Sequence, residues 1–162
     1  MDISNAEMKN FQPEHPPSKL HDGDLSNFAL SSPEQDGMWV RVNLKELYQI
    51  TKIVVYNRIS SFRDRIIGAS IFIKSGDYLV ANCGKIESTR YAYSFHCSLE
   101  GDGVDIRQDG AVEEWNIAEV LVYGKPINQQ TGKLAIMFYF SDTEDSTATT
   151  SEVTNTNSEH VK

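Results

Sequence analysis

The sequence predicts an all-β fold, on three observations. Apolar and polar residues alternate over runs of four to eight residues, the period of half-buried strands. These runs recur about every 8 to 12 residues, the spacing of a sandwich or barrel. No segment holds a helical period long enough to compete. With 162 residues, the chain has room for one domain and a tail.

Taken in order, the first twenty residues are poor strand material, because Pro13, Pro16 and Pro17 interrupt them. Trp39 to Leu44 places Val40, Val42 and Leu44 on one face, and Ile50 to Tyr56 does the same with Ile53 and Val55. Ala69, Ile71 and Ile73 alternate next, followed by the shorter run Tyr78 to Ala81. Tyr91 to Cys97 and Val104 to Arg107 come after, with Gly101, Gly103 and Gly110 around the second. Trp115 to Tyr123 closes the pattern, with Val120 and Val122 on one side of Leu121. Trp39 and Trp115, each opening a strand, fit core or rim packing.

Past Gly124 the pattern breaks. Lys133 to Phe140 is apolar and β-prone, which leaves open an extra strand within 125–140 or an exposed sticky segment. Ser141 to Lys162 is a tail of Ser, Thr, Asn, Asp and Glu that offers almost nothing to bury and is expected to be disordered.

A formal charge of −8 argues against nucleic acid as the principal partner, since that affinity comes from clustered Lys and Arg. The longest apolar run, Leu134 to Phe140, is far short of the roughly 20 residues that span a bilayer. No transmembrane segment is expected. No signal peptide is visible either: Met1 to Lys19 holds Asp2, Glu7 and Glu14 and no apolar stretch. The four histidines show no metal or triad spacing, and no nucleophile, base or phosphate-binding loop stands out. Catalysis is not expected.

Between the second and third runs lies Tyr56 to Ala69, a cationic loop that carries Arg58, Arg63 and Arg65 around Phe62. Guanidinium forks donate paired hydrogen bonds to vicinal oxygens, and an aromatic ring supplies an apolar wall. The alternative is a solvated loop in which Asp64 pairs with Arg63 or Arg65. Elsewhere, Asp22-Gly23-Asp24 is by itself a common turn, while Glu119 sits within the apolar Ile117 to Val122 run and needs a partner there. Cys83 and Cys97 are the two cysteines, either bridging neighbouring strands or buried as free thiols.

The ordered set Asp22-Gly23, Trp39 to Leu44, Val54 to Arg58, Arg65 to Ala69 and Ala118 to Gly124 resembles the F-type lectins, the fucolectin and tachylectin branch of the discoidin and coagulation-factor type C domains. The resemblance covers about residues 1–124, most weakly over 1–19. It implies a discoidin-like jelly-roll β-sandwich, a role in binding fucose-containing glycans or glycoproteins, an extracellular setting and the possibility of a homo-oligomer. It also implies a Cys83–Cys97 disulfide.

The family's sugar site follows His-x24-Arg-x-Asp-x4-Arg/Lys. Arg58 and Arg65 match its two basic positions; Ser60 stands at the Asp position and Pro33 at the His position. The family's adjacent cysteines are Ser61 and Phe62 here, so the resemblance implies ligand contacts from Arg58, Arg65, Phe62 and Arg63. It further implies a structural Ca²⁺ held by Asp22, Asp24, Ser31 or Ser32 and Glu119, with carbonyls from Lys19 and Ala118. The missing His and Asp suggest an alternative, a domain of this fold that serves adhesion or scaffolding without binding sugar. Membrane docking through Phe28, Leu30, Met38 and Phe62 ranks behind both.

Overall fold

The computed structural model describes Met1 and residues 3–127, within one compact unit, Met1–Asn128. Most of the expected extra strand and the whole tail lie outside the described residues. The described chain is built of strands: β1 (Ile3–Met8), β2 (Ala29–Leu30), β3 (Met38–Tyr56), β4 (Ser70–Ser75), β5 (Tyr78–Lys85), β6 (Ala92–Gln108), β7 (Asn116–Ile117) and β8 (Glu119–Pro126). Two short 3₁₀ turns, Pro17–His21 and Arg63–Ile66, complete it.

β3 and β6 form the spine. They run antiparallel from Met38↔Gln108 to Tyr56↔Ala92, with register shifts between Asn43 and Tyr48 and between Ile50 and Lys52. Along its other edge β3 takes β1 over its first half and β8 over its second. β4 joins β6, and β5 forms the outer strand beyond it. The separate ribbon β2–β7 pairs Ala29 with Ile117 and Leu30 with Asn116.

The alternation drives this arrangement. Val40, Val42, Leu44, Ile53, Val55, Ile71, Ile73, Val120 and Val122 are all buried in one cluster, as their period-two spacing predicts. Leu20, Ile66 and Trp115 close it at its ends. The all-β sandwich expectation is borne out.

Two expectations are corrected. The N-terminal stretch does form a strand: β1 precedes the prolines and pairs with β3, with Met8 opposite Val40. Its apolar residues Ile3, Ala6 and Met8 break strict alternation, a register shift between Ile3 and Asn5 absorbing the irregularity, so pairing along the edge of β3 defines a strand that the local pattern does not advertise. Runs that look separate in the sequence also fuse: Ala92–Cys97, all but the first residue of one run, and Val104–Arg107 belong to one 17-residue strand. Gly101 and Gly103 sit inside it because a Cβ at Gly101 would lie 2.6 Å from the Lys74 carbonyl oxygen, and one at Gly103 2.6 Å from that of Val42. These glycines permit close strand approach rather than turns.

Cys83 of β5 and Cys97 of β6 form a disulfide, with Cα atoms 5.7 Å apart and 14 positions between them in sequence. Loop closure on that scale removes about 3 kcal/mol of unfolded-state entropy. Replacing both cysteines with serine should therefore lower the urea-derived stability by about 2 to 4 kcal/mol. Unchanged stability in the double variant would show that the crosslink contributes nothing.

Candidate ligand-binding site

The site forms where β3 ends. Its last residue, Tyr56, pairs with Glu119 at the start of β8, and the chain then leaves the sheet as Asn57 and Arg58. Asn57 is fully buried, and its backbone N–H donates to the Tyr91 carbonyl at 2.8 Å. Its side-chain amide donates to the Arg63 carbonyl at 2.8 Å and the Arg90 carbonyl at 3.2 Å. Asn116, buried on β7, donates its amide to the Phe62 carbonyl at 3.2 Å.

These bonds seize the loop at two consecutive carbonyls. The first of the two, Phe62, adopts φ 64°, ψ 31°, a left-handed conformation that costs a non-glycine residue about 1 to 2 kcal/mol. The following turn, Arg63–Ile66, sinks Ile66 into the core. The loop is thus held at both its backbone and its one apolar anchor, while Phe62 itself stays 54% exposed.

Arg58 and Arg65 flank that ring. The Arg65 guanidinium carbon lies 4.2 Å from the Phe62 centroid, and that of Arg58 lies 5.8 Å from it and 4.0 Å from the Phe28 centroid. Such placements are attractive through the ring quadrupole. Arg58 Nε donates to Ser60 Oγ at 2.8 Å. Burial, and then the charge of Arg65, push the Arg58 guanidinium below its ordinary pKa against the pull of Glu114. Arg65 pairs with Glu114, whose other oxygen accepts from Gln12 Nε2 at 3.4 Å. Beside this pair runs an open groove of about 430 Å³ lined by Pro33, Gln35, Arg65, Val112, Glu113 and Glu114.

Arg58, Arg65 and Phe62 are therefore brought together as expected. Arg63 is exposed, and its contribution to the loop is its backbone carbonyl. No described ion pair joins Asp64 to either neighbouring arginine; Glu114, distant in sequence, takes Arg65 instead. Pro33 does line the same groove as Arg65, so the position counted back along the sequence falls at the site without an imidazole. A different histidine, His15, stacks on Phe28 with centroids 4.6 Å apart. Of the four residues considered for membrane docking, Leu30 and Met38 are buried in the fold.

The acidic positions also meet at this end of the sandwich. Glu119 is 2% exposed, and its Oε2 accepts the Gly23 N–H at 3.2 Å. Burial, together with the charges of Asp22 and Asp24, pushes the Glu119 carboxyl up, and the Gly23 bond opposes that shift. Desolvation acts to raise Asp22, but hydrogen bonds from the Asp24 N–H and the Asn27 amide leave it below the usual range. Hydrogen bonds from Ser26 lower Asp24. Asn27 Oδ1 is buried without a hydrogen-bond partner.

Lys19 reaches this cluster through its ammonium, 3.7 Å from Asp22, and Ala118 lies beside Glu119, its N–H bonded to the Tyr56 carbonyl. The Ser31 hydroxyl is engaged elsewhere, and Ser32 is tied through its backbone. Ser31 Oγ accepts the Trp115 N–H at 3.0 Å, and the Ser32 N–H donates to the Asn10 carbonyl. Among the described residues, no three acidic, histidine or cysteine side chains converge on a metal position by themselves. No described helix is long and apolar enough to cross a membrane.

Residues 19–107, more than half of the chain, match the family described as NedA-like, galactose-binding domain. No curated protein matches by sequence. Among solved structures, the fucose binding module SpX-3 of Streptococcus pneumoniae superposes with a TM-score of 0.68 at 21% identity, over 75% of this chain and 94% of that one. The lectin domain of lectinolysin, solved with Lewis B antigen, gives 0.68 at 16% identity, over 75% and 94%. The serum fucolectin of striped bass, Morone saxatilis, gives 0.65 at 23% identity, over 76% of this chain and 46% of that one. At these identities the likeness is one of fold.

Sequence inspection misses Glu114, His15 and Asn116, and singles out Phe28 only for membrane docking; all four arrive from segments far from the arginine loop. Asn116, a polar residue opening an apolar strand, is the one with a local signal. Asn116→Ala should cost about 1 to 2 kcal/mol, because it removes a buried hydrogen bond. It should also speed hydrogen exchange at the amides of 61–65 beyond the global change. Loop protection that tracks only global stability would show that Asn116 does not hold the loop.

Proposed function

We propose that this chain, which belongs to the NedA-like, galactose-binding family of coagulation-factor type C domains, is a carbohydrate-recognition module for fucose-type sugars. The observation that carries this reading is the exposed Phe62 ring between two half-buried guanidinium groups, fixed by buried amides beside a groove with a carboxylate. Arg58 and Arg65 donate to vicinal hydroxyls and the ring oxygen, Glu114 accepts from a hydroxyl, and Phe62 packs on the apolar sugar face. Glu114 thereby supplies the carboxylate that Ser60, a neutral acceptor for Arg58 Nε, does not. The partners are fucose-containing glycans or glycoproteins, and the disulfide suits an oxidising, extracellular compartment.

A structural Ca²⁺ belongs to the same proposal. The buried Glu119, the two neighbouring aspartates and the unpartnered Asn27 Oδ1 form a set of hard oxygens suited to it. Asp22, Asp24, Asn27 and Glu119 would hold the ion together with the carbonyls of Lys19 and Ala118, since the carboxylates alone do not converge on a metal position. The ion would offset most of the negative charge of these three acidic groups and so fix the turn at Gly23 against Glu119.

Two measurements check these roles. Because the folded pKa of Glu119 is raised, its contribution to stability is fullest below the ordinary glutamate value and is lost as pH rises through the folded one. In chelator, wild type should therefore lose stability relative to Glu119→Gln as pH rises above the ordinary glutamate range. Millimolar Ca²⁺ should restore it in wild type alone; equal melting temperatures with calcium and with chelator would remove the ion from the account.

For the sugar, NMR titration with methyl α-L-fucopyranoside should give saturable shifts at millimolar concentrations. Arg58→Ala should weaken binding about tenfold, the effect of losing a charged hydrogen bond. No saturation, or an unaffected variant, would favour an adhesion module that has lost its sugar.

A further inference from the structure

The charges around Phe62 do not balance, and the imbalance points to a ligand. Arg65 has its counter-ion in Glu114. Arg58 does not: its Nε meets only the neutral hydroxyl of Ser60, and its guanidinium lies between Phe28 and Phe62. No described carboxylate forms an ion pair with Arg58 or with the exposed Arg63. A partly desolvated guanidinium beside a second one is stabilised by an anion at its free N–H groups. On the groove side, Glu113 and Glu114 repel anions, so an anionic group is accepted only on the Phe28 side of the ring.

We infer that the sugar recognised here carries a negative charge, a sulfate ester or a carboxylate, bound by the Arg58 fork. This rests on the carbohydrate reading above and specifies its ligand. Ser60 is the residue that decides the preference. A carboxylate at that position would fall within reach of Arg58 Nε, neutralise it and favour a neutral sugar, whereas the hydroxyl leaves the charge for the ligand to supply. The overall charge of −8 opposes non-specific capture of polyanions, so the preference arises from these contacts.

The test compares size-matched sulfated and chemically desulfated fucan oligosaccharides, a uronic-acid methyl glycoside and sodium sulfate, by calorimetry on the full chain. A charged hydrogen-bonded pair predicts that the sulfated oligosaccharide binds about tenfold more tightly than the desulfated one. The uronic acid reports whether a carboxylate serves as well. Ser60→Asp should reverse the order, and Arg58→Gln should abolish it, each at a melting temperature close to wild type. Equal affinity for sulfated and desulfated oligosaccharides overturns the anionic assignment while leaving the carbohydrate reading intact. Sulfate ion binding as tightly as the sulfated oligosaccharide overturns it in favour of a bare anion site. Binding to none of the sugars overturns both.

Discussion

The site depends on the hydrogen bonds that two buried amides make to the backbone of one loop. Asn57, just past the end of β3, and Asn116, on β7, reach the carbonyls of Arg63 and Phe62, and each leaves its own Oδ1 buried and unpartnered. Buried polar atoms without partners are uncommon, and their cost is accepted here at the base of the loop that displays the exposed Phe62 ring. Without those donors, the left-handed Phe62 would relax, and the two guanidinium groups would lose the ring that orders them. The loop is thus shaped before a ligand arrives, which lowers the entropy lost on binding.

The scaffold meets the same requirement. Gly101 and Gly103 let β6 approach β3 and β4 closely, and the long spine carries Asn57 out at its end without slack. The β2–β7 ribbon then brings Phe28 and Asn116 to the same place from segments far apart in sequence. Electrostatics complete the division of labour at this end of the sandwich. Acidic groups gather at Asp22, Asp24 and the buried Glu119, and cationic groups flank Phe62.

The sequence made legible whatever follows from local periodicity or from short spacing. Val40, Val42, Ile71 and Ile73 announce their strands because each alternates with polar neighbours, and Arg58, Phe62 and Arg65 lie within a single loop. What it hid is long-range or conditional on a partner. β1 forms only because β3 offers an open edge. Gly101 and Gly103 resemble turn residues until close packing gives them another purpose. Glu114 and His15 come to the arginine loop through the fold, and Ser31 turns to the Trp115 N–H for reasons that no spacing reveals.

The central claim is that the fixed ring of Phe62, with Arg58 and Arg65, is where a sugar sits. A crystal structure of the chain grown with saturating methyl α-L-fucopyranoside tests it most directly. The account predicts the sugar's apolar face on Phe62, its hydroxyls accepting hydrogen bonds from both arginines, and an unmoved 57–67 backbone. A sugar bound elsewhere, or a loop that must rebuild around it, would contradict it.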